Sequence, residues 1–265
     1  MRMQMDVQGD GPTLILVGGG LTGALSWVPH QERLKSTRRV GRAQPLAVQY
    51  GLENRALPDG YSVEMESAAL GAAIDALDPG QALDVVAWSY GGAITLDWAL
   101  DHPDRVRTLT LIEPPAFWVL QATGMEDADS RRESDEVRAG YAGMTRDVTE
   151  EQLATFVRQA GLCPPDRSPQ ELPAWPEWVR HRRSLRTGAA PWAHTDSAAR
   201  LRAFDRPVLL FKGTGSAHFL HRIIDALGST LPRAEVVELP GGHAPQIVAM
   251  EDFLARLAAF QAAAR

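Results

Sequence analysis

Residues 85–92 read VVAWSYGG, and this short stretch decides the fold. It ends an apolar run, 83–88, that predicts a buried strand, and a helix-compatible segment begins directly after Ser89. Small residues, Ala87 and Gly91, stand two positions to either side of this serine, as a sharp turn with closely crossing backbone requires. The pattern predicts a serine hydroxyl raised at the carboxyl end of a strand. The alternative is a serine that only caps the helix.

Further short apolar runs alternate with helix-compatible segments along the chain. A turn rich in glycine follows the alternating residues 3–7 and leads into the first buried run, which predicts an edge hairpin. Buried strands that alternate with helices imply a mainly parallel sheet, so the predicted fold class is α/β. The predicted buried strands are 14–17, 45–49, 83–88, 106–112, 207–211 and 234–239, and the clearest predicted helices are 63–77, 91–100 and the segment around Phe253, Leu257 and Phe260.

The alternation stops between residues 114 and 200. This interval combines acidic patches, proline-rich turns and four tryptophans. A structureless loop of this length is uncommon in a compact domain. We therefore predict a small, mostly helical insertion over 114–200, in a core domain made of 1–113 and 201–265.

The bulk composition limits the classes of partner and location. The chain has 265 residues, 45% of them hydrophobic, which is enough for one α/β core with an insertion. A formal net charge of -6 argues against binding to nucleic-acid phosphates or to anionic lipid. The single cysteine, Cys163, cannot form an intramolecular disulfide, residues 1–6 lack a secretory apolar stretch, and no run is long enough to span a membrane. We expect a cytoplasmic protein whose partner is a small molecule, and the oligomeric state stays open.

A serine hydroxyl is a weak nucleophile and needs a base to accept its proton, which near neutral pH is usually a histidine. Of the seven histidines, His243 stands in the segment PGGHAP directly after the last predicted strand. That position is at the same carboxyl edge of the sheet as Ser89. His218 and His221 also follow a strand end and are weaker alternatives. We predict Ser89 as the nucleophile and His243 as the base.

Several segments together resemble the α/β-hydrolase fold family. They are 14–23, the Ser89 turn, 106–115, 207–213 and the Gly-Gly-His loop, and they cover nearly the whole chain outside the insertion. The resemblance implies a mainly parallel eight-stranded sheet flanked by helices, with a helical cap formed by 114–200. The chain departs from the family pattern at Gly18-Gly19, where His-Gly is frequent, and at Ala87, where glycine is common. Neither change removes a catalytic side chain.

The orienting acid is the larger departure from this family. In most members it lies a few residues after the strand that corresponds to 207–211, but here residues 212–218 read KGTGSAH and contain no carboxylate. The role needs a carboxylate that fixes the histidine tautomer and stabilises the imidazolium, at a strand end on the same edge. Glu113, which ends the run 106–112, meets this need and is the predicted acid. The alternatives are that Glu113 is an edge or pocket residue, or that Asp225 is the acid.

Two backbone N–H groups are predicted to stabilise the oxyanion. The first belongs to Tyr90 at the start of the helix, and the second belongs to Gly20 or Leu21 in the loop after the first buried strand. We also predict Trp88, Trp118 and Leu21 as substrate contacts, although such tryptophans form a core as often as a pocket.

These residues predict acyl transfer to Ser89 and hydrolysis by a water that His243 activates. The predicted function is hydrolysis of an ester-type bond (carboxylester, lactone or thioester) in a small, largely apolar substrate, without a cofactor or a metal. Ser89 stands where haloalkane dehalogenases and epoxide hydrolases of the fold carry an aspartate, so those reactions are disfavoured. A C–C bond hydrolase, an acyltransferase or a non-catalytic ligand-binding homologue would use the same residues.

A remote alternative comes from residues 18–23, which read GGGLTG and match the dinucleotide-binding pattern G-x-G-x-x-G. A dinucleotide-binding oxidoreductase also needs an acidic residue near the end of the next strand. The predicted strand there ends in VQY, and Glu53 comes only later. The isolated glycine pattern is therefore weak support.

Overall fold

The computed structural model describes residues 1–144 and 147–264, and its centre is one mixed sheet. The strands are β1 (Gln4–Gln8), β2 (Thr13–Val17), β3 (Arg39–Gln44), β4 (Leu83–Trp88), β5 (Val106–Ile112), β6 (Val208–Gly213) and β7 (Ala234–Leu239). They lie in the order β1-β3-β2-β4-β5-β6-β7, with β1 antiparallel to β3 and the other neighbours parallel. The predicted α/β class is confirmed, and five of the six predicted strands are present, although the edge strand β7 is largely exposed rather than buried.

The expected number of strands and the expected hairpin are wrong. Within the described residues the sheet has seven strands rather than eight, because a single strand, β1, precedes β2. β1 forms no hairpin with β2, since β2 already has parallel neighbours on both sides, β3 and β4. β1 instead pairs at the edge with β3, where Met5 lies opposite Ala43.

The predicted strand 45–49 is also wrong, because these residues begin a helix and the strand lies just before them. Two arginines, Arg39 and Arg42, hide β3 from a search for apolar runs. Both side chains find partners on neighbouring elements: Arg42 donates to the backbone oxygen of Ala24 at 2.8 Å and pairs with Asp6 of β1, and Arg39 donates to the backbone oxygen of Leu77 at 3.4 Å. A polar strand is therefore stable at this position because its charged side chains reach partners on neighbouring elements.

Helices cover both faces of the sheet. The helix predicted over 63–77 is confirmed, and Ser62 caps it by accepting a hydrogen bond from the Met65 N–H at 3.3 Å. The helices are α1 (Val28–Leu34), α2 (Leu46–Leu52), α3 (Val63–Leu77), α4 (Tyr90–Asp101), α5 (Trp118–Thr123), α6 (Ala128–Ala142), α7 (Glu150–Gln159), α8 (Trp175–His181), α9 (Ala190–Ala193), α10 (Ala198–Ala203), α11 (His218–Thr230), α12 (Pro245–Val248) and α13 (Met250–Ala263).

Alternate residues of each strand enter two different apolar clusters. In β2, Ile15 belongs to the cluster on one face that contains residues of α3, α4 and α11, whereas Leu16 belongs to the cluster on the other face with Trp27 and Phe253 of α13. Because both faces are covered, the central strands are buried on both sides, as a parallel sheet requires. The predicted packing of α13 through Phe253 and Leu257 is confirmed.

The chain between β5 and β6 is helical and carries α5 to α10. Its middle part has an apolar cluster of its own, which includes Leu153, Val157 and Trp175. Its first helix, α5, packs instead into the larger cluster on the sheet. α10 runs across residue 200, where we predicted the boundary of the inserted domain. The division into a core domain and a cap stays a prediction. Among the described residues, none of the helices has the length and apolar character needed to cross a membrane.

Candidate active site

Ser89 lies at the turn between β4 and α4, in a backbone conformation that side chains rarely adopt. Its φ is 54° and its ψ is -130°. The turn is possible because Gly91 passes close to the preceding loop, where a Cβ would clash with the backbone oxygen of Gly18 and lie 2.9 Å from that of Val17. The Ser89 side chain makes no capping hydrogen bond to α4, so the helix-cap alternative is wrong. Its hydroxyl is instead free to face the cavity described below.

Three side chains from three strand ends form one line of hydrogen bonds. His243 Nε2 lies 2.8 Å from Ser89 Oγ, and His243 Nδ1 lies 2.8 Å from Glu113 Oε2. A carboxylate can only accept a hydrogen bond, so Nδ1 donates to Glu113 and Nε2 is left to accept from the serine hydroxyl. This is the arrangement in which a histidine can take the proton of a serine.

Glu113 is held firmly for this task. Its side chain is fully buried, and its second oxygen, Oε1, accepts the backbone N–H of Gly213 at 2.7 Å. Its φ of 44° is strained for a residue with a side chain. Such strain persists only where the surroundings determine the position. The carboxylate therefore reaches His243 from the end of β5 while it binds the backbone at the end of β6.

The loop of His243 is fixed from two sides. Trp88 Nε1 donates to the backbone oxygen of His243 at 2.6 Å, and the His243 N–H donates to the oxygen of Gly161 at 3.2 Å. Gly213 must lack a side chain, because a Cβ there would clash with the oxygen of Gly242 and lie 2.6 Å from that of Gly241. The imidazole is thus positioned by the sheet and by a residue between β5 and β6.

The alternative acid and bases lie elsewhere. Asp225 Oδ1 accepts from Lys212 Nζ at 2.9 Å. His218 pairs with Asp127 at 3.0 Å, and His221 Nε2 lies 2.7 Å from the backbone oxygen of Gly213. None of these three side chains is hydrogen-bonded to Ser89 or His243 within the described part of the chain.

The predicted oxyanion donors lie beside Ser89. Tyr90 is the first residue of α4, so its N–H has no partner within the helix. Gly20 lines the same cavity as Ser89, and a Cβ on Gly20 would lie 3.3 Å from the Cβ of Tyr90. Leu21, the alternative second donor, is buried with the apolar cluster of the insertion.

The side chain of Tyr90 is locked by a buried polar network. Its hydroxyl lies 2.9 Å from the hydroxyl of Tyr61, which donates to Glu66 Oε1 at 2.7 Å. Glu66 also accepts the first backbone N–H groups of α2, those of Leu46 at 2.7 Å and Ala47 at 2.8 Å. Burial raises the pKa of the Glu66 carboxyl to about 6. The residue next to the nucleophile is therefore tied to the start of α2.

Ser89 and His243 open into a small cavity of about 60 Å³. Most of its wall is apolar, and six aromatic residues contribute to it: Tyr90, Phe117, Tyr141, Phe156, Trp192 and Phe219. Phe117 stacks on Trp192 with ring centroids 4.7 Å apart and on Phe219 at 5.5 Å. Among the described residues that line the cavity, none is an acid, a lysine or an arginine. The site therefore fits a neutral, compact group.

The predicted substrate contacts are not in this wall as the structure describes it. Trp88 lies behind the histidine, with its ring 5.7 Å from that of His243. Trp118 packs into the large core cluster and Leu21 into the insertion's cluster. The role of these three residues as substrate contacts stays a prediction, which the described cavity wall does not support.

The wall residues that α6 contributes were not predicted from the sequence. Tyr141 and Val137 both line the cavity from α6, whose sequence is otherwise strongly polar. Their spacing of four puts them on one face of that helix. This sparse apolar pair on a charged helix is the signal that could have identified them.

Comparison with known proteins agrees with this architecture. The chain matches a model of the alpha/beta hydrolase fold over residues 12–249. A pimeloyl-[acyl-carrier protein] methyl ester esterase of Nitrosomonas europaea is 25% identical over 95% of this chain and 96% of that protein. A 2-hydroxy-6-oxo-2,4-heptadienoate hydrolase of Pseudomonas putida is 36% identical over 39% of this chain and 38% of its own length. The solved structure of an esterase from Rhodococcus sp. ECU1013 has a TM-score of 0.77 at 18% identity and covers 100% of both chains. The chain therefore belongs to the alpha/beta hydrolase fold family and is a hydrolase enzyme of that fold.

Proposed function

We propose that this hydrolase cleaves small, largely apolar esters through an acyl-enzyme on Ser89, with His243 as base and Glu113 as the orienting acid. The observation that carries the proposal is the line of two 2.8 Å hydrogen bonds from Glu113 through His243 to Ser89, at the wall of an apolar cavity. An unactivated serine is a poor nucleophile, so this contact is the feature that makes acyl transfer possible.

The reaction proceeds in two steps. Ser89 Oγ attacks the ester carbonyl while His243 Nε2 takes the hydroxyl proton, and the N–H groups of Tyr90 and Gly20 bind the oxyanion. The C–O bond to the alcohol then breaks, and Nε2 returns the proton to the departing oxygen. A water molecule then loses a proton to the same nitrogen while its oxygen attacks the acyl carbon. The bond from this carbon to Ser89 Oγ breaks, Nε2 returns the proton to Oγ, and the carboxylic acid is released. Glu113 stabilises the imidazolium in both steps and keeps its own charge.

An acid at the end of β5 can serve a histidine that follows β7. The carboxylate has two oxygens, one directed at His243 Nδ1 and the other at the Gly213 N–H. The second contact anchors the side chain at the end of β6. Both oxygens of this fully buried side chain therefore have hydrogen-bond partners.

The cavity supports a short, neutral acyl group. A volume of about 60 Å³ is enough for roughly four water-sized positions. A charged group would lose its hydration there without gaining an oppositely charged partner from the described wall residues. We propose in addition that the insertion over 114–200 acts as the cap that closes this cavity, since several of the wall residues come from it.

The comparisons favour an ester over a carbon–carbon bond. The Nitrosomonas relative, which spans nearly the whole chain, is named for a methyl ester. The Pseudomonas relative is named for a heptadienoate, which is a carboxylate anion, and a C–C bond hydrolase is the second candidate on that account. The absence of a cationic side chain among the described wall residues argues against an anionic substrate.

Labelling with a fluorophosphonate tests the proposed function. The folded protein is treated with the probe, digested and analysed by mass spectrometry, with Ser89→Ala and Ser229→Ala as paired variants. Ser229 lies on α11, away from the cavity, so its variant controls for the loss of a serine hydroxyl. We expect one adduct on the peptide of Ser89, lost in Ser89→Ala and kept in Ser229→Ala. Folded protein without an adduct would identify a non-catalytic homologue and overturn the proposal.

A further inference from the structure

The part of the cavity wall that the insertion provides carries hydroxyl groups without protein partners. Ser184 is fully buried, and its Oγ has no hydrogen-bond partner among the described residues. Ser184 lines the cavity together with Thr187 and Tyr141. Within residues 1–144 and 147–264, the hydroxyls of Thr187 and Tyr141 likewise make no hydrogen bond. Buried polar groups are nearly always paired, so the unpaired Ser184 hydroxyl at this cavity requires an explanation.

The other tyrosines near the site show the contrast. Tyr61 and Tyr90 are hydrogen-bonded to each other at 2.9 Å, and Tyr61 also donates to Glu66. Tyr141 is held by its ring instead, edge-on to Phe156 at 5.7 Å and to Trp192 at 5.4 Å. These ring contacts hold the aromatic plane of Tyr141 and do not involve its hydroxyl. Burial raises the pKa of this hydroxyl above its usual range, so it remains a neutral donor at ordinary pH.

The chemical roles around Ser89 are filled by groups other than these three hydroxyls. Ser89 already has its base in His243, and the oxyanion has backbone donors in Tyr90 and Gly20. Ser184, Thr187 and Tyr141 all belong to the insertion, whereas Ser89 and His243 belong to the carboxyl edge of the sheet. The three hydroxyls are therefore not needed by the proposed catalytic groups and are available to contact another part of the substrate.

We propose that Ser184, Thr187 and Tyr141 form a polar subsite that binds an uncharged hydrogen-bonding group, a ketone or a hydroxyl, on the substrate. This inference rests on the proposed esterase function and names its substrate class: short esters that carry one neutral polar group away from the ester bond. The described wall residues offer hydroxyls and no ionised acid, lysine or arginine, so a neutral polar group is favoured over a carboxylate or an ammonium group.

The proposed subsite would discriminate between esters with and without the neutral polar group. An ester without the polar group leaves the three hydroxyls desolvated and unpaired, whereas an ester with it pairs at least one of them. A site built to hydrogen-bond a substrate group therefore rejects the analogue that lacks this group. Removing the hydroxyl from the protein must weaken that preference and leave the analogue nearly unaffected.

The test uses matched esters. We compare ethyl 4-oxopentanoate with ethyl pentanoate, and ethyl 5-oxohexanoate with ethyl hexanoate, by titration of the released acid. Wild type is expected to have the higher kcat/KM for at least one oxo ester of these pairs. Tyr141→Phe, Ser184→Ala and Thr187→Val are measured beside Tyr50→Phe, whose hydroxyl lies 3.8 Å from Met1 Sδ and away from the cavity. Thermal unfolding and circular dichroism confirm that each variant is folded.

We expect at least one cavity variant to lower kcat/KM for the preferred oxo ester roughly 3- to 10-fold, the factor that one hydrogen bond contributes. The same variant should change the unsubstituted ester less than about 2-fold, and Tyr50→Phe should leave both esters unchanged. Equal losses for both esters of a pair would mean a structural role and overturn the subsite. An unchanged oxo preference in all three variants would overturn it too. Failure of wild type to hydrolyse any of the four esters would instead refute the proposed function.

Discussion

The carboxyl edge of the sheet and the insertion form two sides of one cavity, but they are held in place differently. At the edge, Ser89 and Glu113 adopt positive φ angles of 54° and 44°, and each side chain has fixed partners. On the insertion side, Ser184 and Tyr141 face the cavity with hydroxyls unpaired among the described residues, and the supporting apolar cluster is small.

This difference suits the edge of the sheet to the chemical reaction and the insertion to substrate selectivity. Strained, fully paired groups on strand ends are suited to a reaction that needs one geometry. A wall of helices that offers unpaired hydroxyls and aromatic rings is suited to recognising a substrate. Changes at the edge should therefore lower kcat, and changes in the insertion should alter the ratio of kcat/KM between substrates.

The largest expected effect tests whether the edge acts as a unit. Ser89→Ala and His243→Ala should each lower kcat for an ester by about 10⁴- to 10⁶-fold, because neither residue works without the other. The double variant should be no slower than the slower single variant. Steady-state kinetics at saturating ester measures this, and losses that multiply would mean that the two residues act independently.

A pair of glycines at the end of β6 tests how tightly the edge is packed. Gly213→Ala puts a methyl group against the oxygens of Gly241 and Gly242, so it should lower the free energy of unfolding by about 1–3 kcal/mol and reduce kcat. Gly215→Ala, whose Cβ would lie 3.5 Å from the oxygen of Gly241, is the control. It should change stability by less than about 0.5 kcal/mol. Denaturant unfolding measures both, and equal effects would contradict the close packing.

The buried carboxyl behind Tyr90 gives the edge a dependence on pH. The pKa of Glu66 is about 6 in the fold, above the ordinary value of 4.5. The protonated Glu66 carboxyl stabilises the fold fully below pH 4.5, and this stabilisation is lost as the pH rises through 6. Over this pH range the loss of the Glu66 proton should lower the free energy of unfolding by about 2 kcal/mol. Comparing wild type with Glu66→Gln by denaturant unfolding from pH 4 to 8 isolates this slope. If the free energy of unfolding of Glu66→Gln had the same slope against pH, the slope would arise from other groups.

The smallest expected effect concerns the insertion. Val137→Ala enlarges the wall beside Tyr141 and should favour an acyl chain one methylene longer by about 2- to 5-fold in kcat/KM, with kcat little changed. Val7→Ala on β1, remote from the cavity, is the control. A series of ethyl esters from acetate to hexanoate measures the preference, and an unchanged optimum would mean that α6 does not limit the chain length.

The sequence predicted the edge well because parallel strands bring their carboxyl ends together. Ser89, Glu113 and His243 each follow a strand of the parallel part of the sheet, so their meeting follows from topology. The strand β3 escaped prediction because its arginines are satisfied only by distant partners such as Asp6. No local pattern records such contacts.

The cavity wall could not be predicted in the same way. Trp88, Trp118 and Leu21 were chosen for their type and position, yet the structure buries them among other apolar residues. Which face of an insertion helix meets the cavity depends on how the helices pack, and sequence spacing alone does not fix that.

The central claim is that the acid acts from the end of β5, and turnover of Glu113→Gln beside Asp225→Asn tests it most directly. Both variants replace a carboxylate by its amide, but only Glu113 contacts His243, whereas Asp225 pairs with Lys212. Glu113→Gln should lower kcat for a short ester by about 10³- to 10⁴-fold, because a neutral amide cannot stabilise the imidazolium. Asp225→Asn should stay within about 2-fold of wild type, because this side chain is not hydrogen-bonded to Ser89 or His243. Equal and small effects of the two substitutions would contradict the account.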